Sequence, residues 1–262
     1  GFIAANGLFL ILGAVLTPEQ FQSWGWRVPF LGSILLVGVG LWIRLKLTET
    51  PAFQAAAHEA PPPHVPVAEL MKTHARETIG GTFAVVACFA LFYLTTAFSL
   101  GYGVTALGYG RQLFLGVLLF AILFMAAGIV WAGYWADKSS PRRVLMAGSL
   151  LTIVAGAALA PMMASGALPV ITAFLCFALV VMGLVYGPLG AWLPSLFPAR
   201  VRYTGASIAF NVGGVIGGGM TPAIAQALAT HGGLKLVGVY LAAAGAISLL
   251  ALWPLKKTPD TL

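Results

Sequence analysis

Between Arg143 and Arg200 the chain runs for 56 consecutive residues without Asp, Glu, Lys, Arg or His. About 20 apolar residues suffice for a helix to cross the ~30 Å hydrocarbon core of a bilayer, so this run holds two membrane-crossing segments and the turn between them. Composition agrees: of 262 residues 60% are apolar and 8% charged, whereas a soluble domain carries about 25% charged residues. Soluble enzymes, secreted disulfide scaffolds and DNA-binding domains are excluded. The net charge of +7 suggests nucleic acid only until the basic residues are placed along the chain. Cys88 and Cys176 lie inside apolar runs and read as small packing residues.

Hydrocarbon offers the backbone no hydrogen-bond partners, so a spanning segment is a helix or part of a closed barrel. No period-two alternation of the barrel kind is present. The chain reads as an all-α polytopic membrane protein with eight spans, near 1–16, 26–46, 77–101, 111–134, 143–163, 168–194, 202–230 and 235–255. Basic residues near span ends stay in the cytoplasm. Arg44, Lys46, Lys72, Arg76, Lys138, Arg142, Arg143, Arg200, Arg202, Lys256 and Lys257 fall on one side, and Arg27, Arg111 and Lys235 on the other. That bias removes the nucleic-acid reading and places residues 47–76 and the C-terminus in the cytoplasm of a multi-pass cell (inner) membrane protein. The sequence opens in mid-apolar run at Gly1, without a signal-peptide pattern, and reads as a piece of a longer protein.

Residues 47–76 hold His58, His64, His74 and the tract Pro61-Pro62-Pro63-His64-Val65-Pro66. They read as a linker between two membrane bundles. Val67, Leu70, Met71 and His74 are spaced for one face of an interfacial helix over 67–76. The histidine spacing matches no compact ligand motif, so neither a metal nor a cofactor is expected.

Two clusters carry mechanism. The first is Gly133-Tyr134-Trp135-Ala136-Asp137-Lys138-Ser139-Ser140-Pro141-Arg142-Arg143, read either as a gate or as an ordinary basic turn. The second is Gly187-Pro188 through Pro194-Ser195-Leu196-Phe197-Pro198-Ala199-Arg200-Val201-Arg202-Tyr203-Thr204-Gly205, whose prolines must bend or end their helix. The stretch Leu196-Phe197-Pro198-x-Arg200-Val201-Arg202-Tyr203-Thr204-Gly205, the run Gly213-Gly214-x-x-Gly217-Gly218-Gly219, and Gly25-Trp26-Arg27-Val28-Pro29-Phe30-Leu31 with Thr48-Glu49-Thr50-Pro51 resemble the metabolite:H⁺ symporter family of the major facilitator superfamily.

That resemblance covers essentially the whole chain. It implies a partial major facilitator fold with eight transmembrane helices: 1–46 as the last two helices of the N-terminal bundle, 47–76 as cytoplasmic linker, 77–255 as the six-helix C-terminal bundle and 256–262 as a tail. It further implies a proton-coupled symporter of a small organic acid or zwitterionic osmolyte, with the missing N-terminal helices of the same protein as partner. Gly133, Asp137, Lys138 and Arg142 match the superfamily's gating motif, and Arg143, Arg200 and Arg202 complete a basic cytoplasmic gate. Ser140 and Pro141 depart from the motif, putting its turn geometry in question. Ser195 stands where family members often carry Glu, which implies a weaker inner gate. By the pseudosymmetry of the two halves, Asp137 should face the start of the first span.

No charged residue lies near the middle of a span, so the path here can offer only neutral groups. Its candidates are Thr95, Thr96 and Ser99 on one helix, Tyr186 beside Gly187-Pro188, and Asn211 as a buried mid-span carboxamide. Back-bonding is the alternative for the hydroxyls. Gly213, Gly214, Gly217 and Gly218 are expected to pack helices closely, and proton-coupling groups would lie in the missing spans. Other readings left open are another major facilitator transporter for drugs or sugars, a membrane-embedded transferase and a non-transporting bundle. An enzyme would need a cluster of acids, histidines or metal ligands at one face, and none is found, so no catalytic residue is assigned. With half a cavity, the isolated 262 residues should show no gradient-driven uptake in proteoliposomes; uptake by them alone would overturn the domain assignment.

Overall fold

A computed structural model describes residues 2–46 and 66–255. Gly1, residues 47–65 with His58, His64 and the proline tract, and residues 256–262 with Lys256 and Lys257 lie outside the described residues. Every regular element among the described residues is helical, as hydrocarbon demands. α1 (Phe2–Val15), α2 (Pro18–Ser23) and a 3₁₀ turn (Gly25–Arg27) lead into α3 (Val28–Lys46). α4 (Pro66–Thr73) precedes a long interrupted span made of α5 (Ala75–Ala84), α6 (Val86–Tyr93), a π-helical turn (Leu94–Phe98) and α7 (Ser99–Thr105). Then come α8 (Arg111–Lys138), α9 (Pro141–Met163), α10 (Leu168–Tyr186) and the short α11 (Leu189–Trp192). α12 (Arg202–Gly214) continues through a second π-helical turn (Val215–Gly219) into α13 (Thr221–Leu252).

Six helical stretches are long and apolar enough to cross a membrane. The last of them, Arg202–Leu252, has 51 residues and would measure about 76 Å if straight, more than twice the hydrocarbon thickness. It doubles back at Gly233, whose φ of +73° only glycine adopts without strain. The Thr221 hydroxyl donates to the Gly217 carbonyl and receives a hydrogen bond at 2.7 Å from the Tyr240 hydroxyl. Residues 19 positions apart meet only if the halves lie side by side. The two arms match the expected 202–230 and 235–255, and the shorter α1 supplies the remaining expected segment.

Between membrane helices there is little hydrophobic drive, so close packing decides which pairs associate. A Cβ on Gly128 of α8 would sit 2.6 Å from the Val180 carbonyl oxygen of α10. A Cβ on Gly156 of α9 would sit 2.6 Å from the Gly238 carbonyl oxygen of α13. The pairs α8–α10 and α9–α13 therefore form the closest contacts, and Phe114, Phe174, Leu91, Leu118 and Leu179 fill the interior between them. α1 packs along α8, whereas Leu35 and Leu36 of α3 stay 76% and 73% exposed, a face fit only for lipid or further helices.

One expectation changes. Residues 67–76 do not form one amphipathic helix, because His74 (φ −131°, ψ 30°) separates α4 from α5. Leu70 is buried in the end of the bundle while Val67 and Met71 remain exposed, so α4 is seated by one residue and not by a shared face. His74 Nδ1 lies 3.9 Å from a Glu77 carboxylate oxygen.

The long span is interrupted by a distant side chain. Ser248 of α13 accepts from the Ala87 backbone N–H at 2.9 Å and donates to the Phe83 carbonyl at 2.8 Å. Those two backbone groups would bond each other in an unbroken helix; the serine hydroxyl is inserted between them. Ser248→Ala should lower stability in detergent by about 1–3 kcal/mol, the cost of unpaired buried backbone groups, measured as a fall in melting temperature. An unchanged melt would show that the helix closes without the serine.

Candidate functional site

At the end of the bundle that carries the basic turns, α8 hands over to α9 through Ser139 and Ser140. Ser140 caps α9, its hydroxyl accepting the Arg143 N–H at 3.3 Å, and Pro141 opens the first turn. The departure from the motif at these two positions thus produces a capped helix start with a φ already set for it. Lys138 lies over the Tyr134 ring, its Nζ 4.1 Å from the centroid.

Arg142 crosses to α13. Its Nε donates to the Leu252 carbonyl at 3.0 Å and its Nη2 to the Trp253 carbonyl, while Arg76 reaches the Pro254 carbonyl at 3.3 Å. The last carbonyls of a helix have no intrahelical donors and carry partial negative charge, and two guanidinium groups supply both donors and countercharge. Asp137 and Arg143 are exposed and form no side-chain hydrogen bond or ion pair among the described residues.

Asp137 forms no hydrogen bond or ion pair with α1 among the described residues. The Phe2 ring lies 5.8 Å from that of Phe92, in the middle of the interrupted span, and Gly13 abuts Gln112 at the far end of α8.

The second cluster builds a cavity of about 740 Å³ between the end of α10, α11 and α12. Helix α10 ends at Tyr186, α11 carries one turn beyond Pro188, and a 3₁₀ turn (Pro194–Leu196) sends the chain to Phe197. Phe197 is buried and fits against Gly205, where a Cβ would stand 2.6 Å from the ring. Arg202 Nε donates to the Phe197 carbonyl at 3.1 Å. Ser195 turns back to the Trp192 carbonyl at 2.7 Å, so the position that often holds Glu in the resembled family is closed upon its own helix.

Tyr186, Asn211, Arg200 and Arg202 all line this cavity. Asn211 is exposed and not buried as expected: its Nδ2 donates to the Ser207 carbonyl at 2.8 Å, and its carboxamide oxygen accepts no hydrogen bond among the described residues. Ser207 and Tyr203 line it too; the sequence sets Ser207 one helical turn before Asn211 on the same stripe and gives no such sign for Tyr203.

Thr95, Thr96 and Ser99 lie elsewhere. All three are buried at the π-helical turn. Thr95 donates to the Leu91 carbonyl at 2.7 Å, Thr96 to Phe92, and Ser99 to Leu94 at 2.8 Å. Of the glycines, Gly213 and Gly217 press on the backbone of Thr82 and Val86, and Gly214 and Gly218 take the rings of Phe89 and Tyr93. No group of three metal-ligating side chains occurs among the described residues. Cys88 and Cys176 are buried free thiols.

A sequence profile described as Major Facilitator Superfamily matches residues 1–218 and 119–261. An inner membrane metabolite transport protein of Escherichia coli is 41% identical over 96% of this chain and 58% of its own length. The shikimate transporter of the same organism is 32% identical over 98% of this chain and 60% of its own, and the citrate-proton symporter of Klebsiella pneumoniae is 30% identical over 95% and 56%. The chain spans less than two thirds of each relative.

Because Arg142 holds the end of α13, Arg142→Ala should speed amide hydrogen exchange across residues 248–254 by about tenfold or more, a loss of ~1.5–3 kcal/mol of charge-assisted bonding. Arg142→Lys should be intermediate. Equal exchange in all three proteins would remove the clamp from the account.

Proposed function

The chain belongs to the Major Facilitator Superfamily, within its metabolite:H⁺ symporter family, and on that premise we propose that it forms part of a secondary transporter carrying a small organic acid or zwitterionic osmolyte together with a proton. The single observation that carries this reading is the cavity between α10 and α12, which gathers hydroxyl, carboxamide and guanidinium groups against apolar walls. Guanidinium groups suit carboxylates through their forked donors. Relatives named for shikimate and citrate, both carboxylates, support the same substrate class.

In this reading residues 1–46 supply the last two helices of the N-terminal bundle, 47–76 the linker, 77–255 the C-terminal bundle and 256–262 a tail. The excess of Lys and Arg at one end of the spans assigns that end to the cytoplasm. Alternating access rocks one bundle against the other around a central site. Tyr186 and Asn211 bind the substrate. Gly133, Asp137, Lys138, Arg142, Arg143, Arg200 and Arg202 form the cytoplasmic gate. Thr95, Thr96 and Ser99 have their donors committed to their own helix, so their part is to hold the bend beside the path. Among the described residues the acids of the spans, Glu77 and Asp137, stand at their ends, which supports placing the proton-coupling carboxylate in the missing N-terminal helices of the same protein.

The test is counterflow of labelled organic acids in proteoliposomes holding the full-length protein. Asn211→Ala and Tyr186→Phe should each reduce exchange about tenfold, the equivalent of one hydrogen bond worth ~1.4 kcal/mol; full activity in both would remove the cavity from the path. Collapsing the proton gradient should abolish accumulation and spare counterflow. Accumulation that survives the collapse would argue against symport.

A further inference from the structure

A second cavity, of about 850 Å³, opens between α9 and α13 at the end of the bundle remote from the basic turns. Its shape follows from the glycine contact already described: the two helices touch at Gly156 and Gly238, and the cavity lies beyond that contact, toward Pro161 and Gly233. α9 stops shortly after Pro161, and α13 is displaced by the non-helical backbone of Gly233. The result is a wedge with apolar walls, including Ala157, Ala160 and Val239, and with Tyr102 and Lys235 as polar lining.

Lys235 is exposed and forms no ion pair or hydrogen bond among the described residues. The stretches that bound the wedge, residues 99–111, 157–170 and 228–240, contain Arg111, His231 and Lys235 and no Asp or Glu. Lys235 therefore sets positive charge at the mouth of an apolar slot between the two helices. An acyl chain fits such a slot, and an anionic headgroup fits its rim, because a lysine at the interface keeps its ammonium at headgroup level while its stem lies along hydrocarbon.

We propose that this wedge is a binding site for an anionic phospholipid, with one acyl chain between α9 and α13 and the phosphate at Lys235. The site lies apart from the cavity between α10 and α12 and does not depend on what the protein carries. The helix pair α9–α13 comes backbone to backbone at Gly156 and Gly238, and a chain in the wedge fills the space beyond that contact.

The test uses the full-length protein purified in detergent and presented with phosphatidylglycerol or phosphatidylcholine of identical acyl chains, with retained lipid counted by native mass spectrometry. Wild type should retain phosphatidylglycerol about five-fold more than phosphatidylcholine. Lys235→Ala should erase that preference while phosphatidylcholine retention stays as before. Ala157→Trp, at an exposed position on the wall, should reduce retention of both; Ala164→Phe at the rim serves as an independent block if the tryptophan impairs folding. Equal retention of the two lipids by wild type, or a preference untouched in Lys235→Ala, would overturn the proposal. So would a dimer that Ala157→Trp dissociates while lipid retention stays unchanged, since the occupant would then be a second copy of the chain.

Discussion

Where a backbone hydrogen bond is missing inside this bundle, a side chain takes its place. In hydrocarbon an unpaired N–H or C=O costs several kcal/mol, and no solvent is there to relieve it. Ser248 enters the gap between Phe83 and Ala87. Thr221 serves the Gly217 carbonyl at the second π-helical turn. Arg142 and Arg76 close the end of the last helix. No buried side-chain nitrogen or oxygen among the described residues lacks a partner, so the bends are structural positions with fixed chemistry.

The same economy explains the glycines. Helices that gain nothing from leaving water must approach closely enough for dispersion to matter, and glycine at the crossing permits it. Gly128 on α10, Gly156 on α13 and Gly217 on α6 bring backbone against backbone. On α12 the pattern then divides by depth: Gly214 and Gly218 are covered by Phe89 and Tyr93, whereas Asn211, one turn earlier, opens onto the cavity. One stripe of residues thus serves packing at one end and the substrate path at the other.

How much of this was legible depends on the range of the interaction. The spans were readable because length and the absence of charge are local properties, and even the reversal near Gly233 was marked by the polar sequence around it. The cap at Ser140 was within reach too, since serine followed by proline is a local start signal. Ser248 and Arg142 were not legible in these roles, because their partners lie 161 and 110 positions away and nothing in their neighbourhoods names them. Asn211 was expected to be buried because its place in the span was known but the covering of its face was not.

The reversal at Gly233 has a mechanical consequence. A loop of several residues would let its two arms slide or tilt independently, but a joint of one residue braced by the Tyr240–Thr221 bond leaves them little slack. α12 and the descending arm of α13 then behave as the two sides of one hairpin, whose far tip is pinned to α9 through Arg142. A displacement of the cavity wall at Asn211 is thereby coupled to the end of α13 at Leu252 and, through Arg142, to α9.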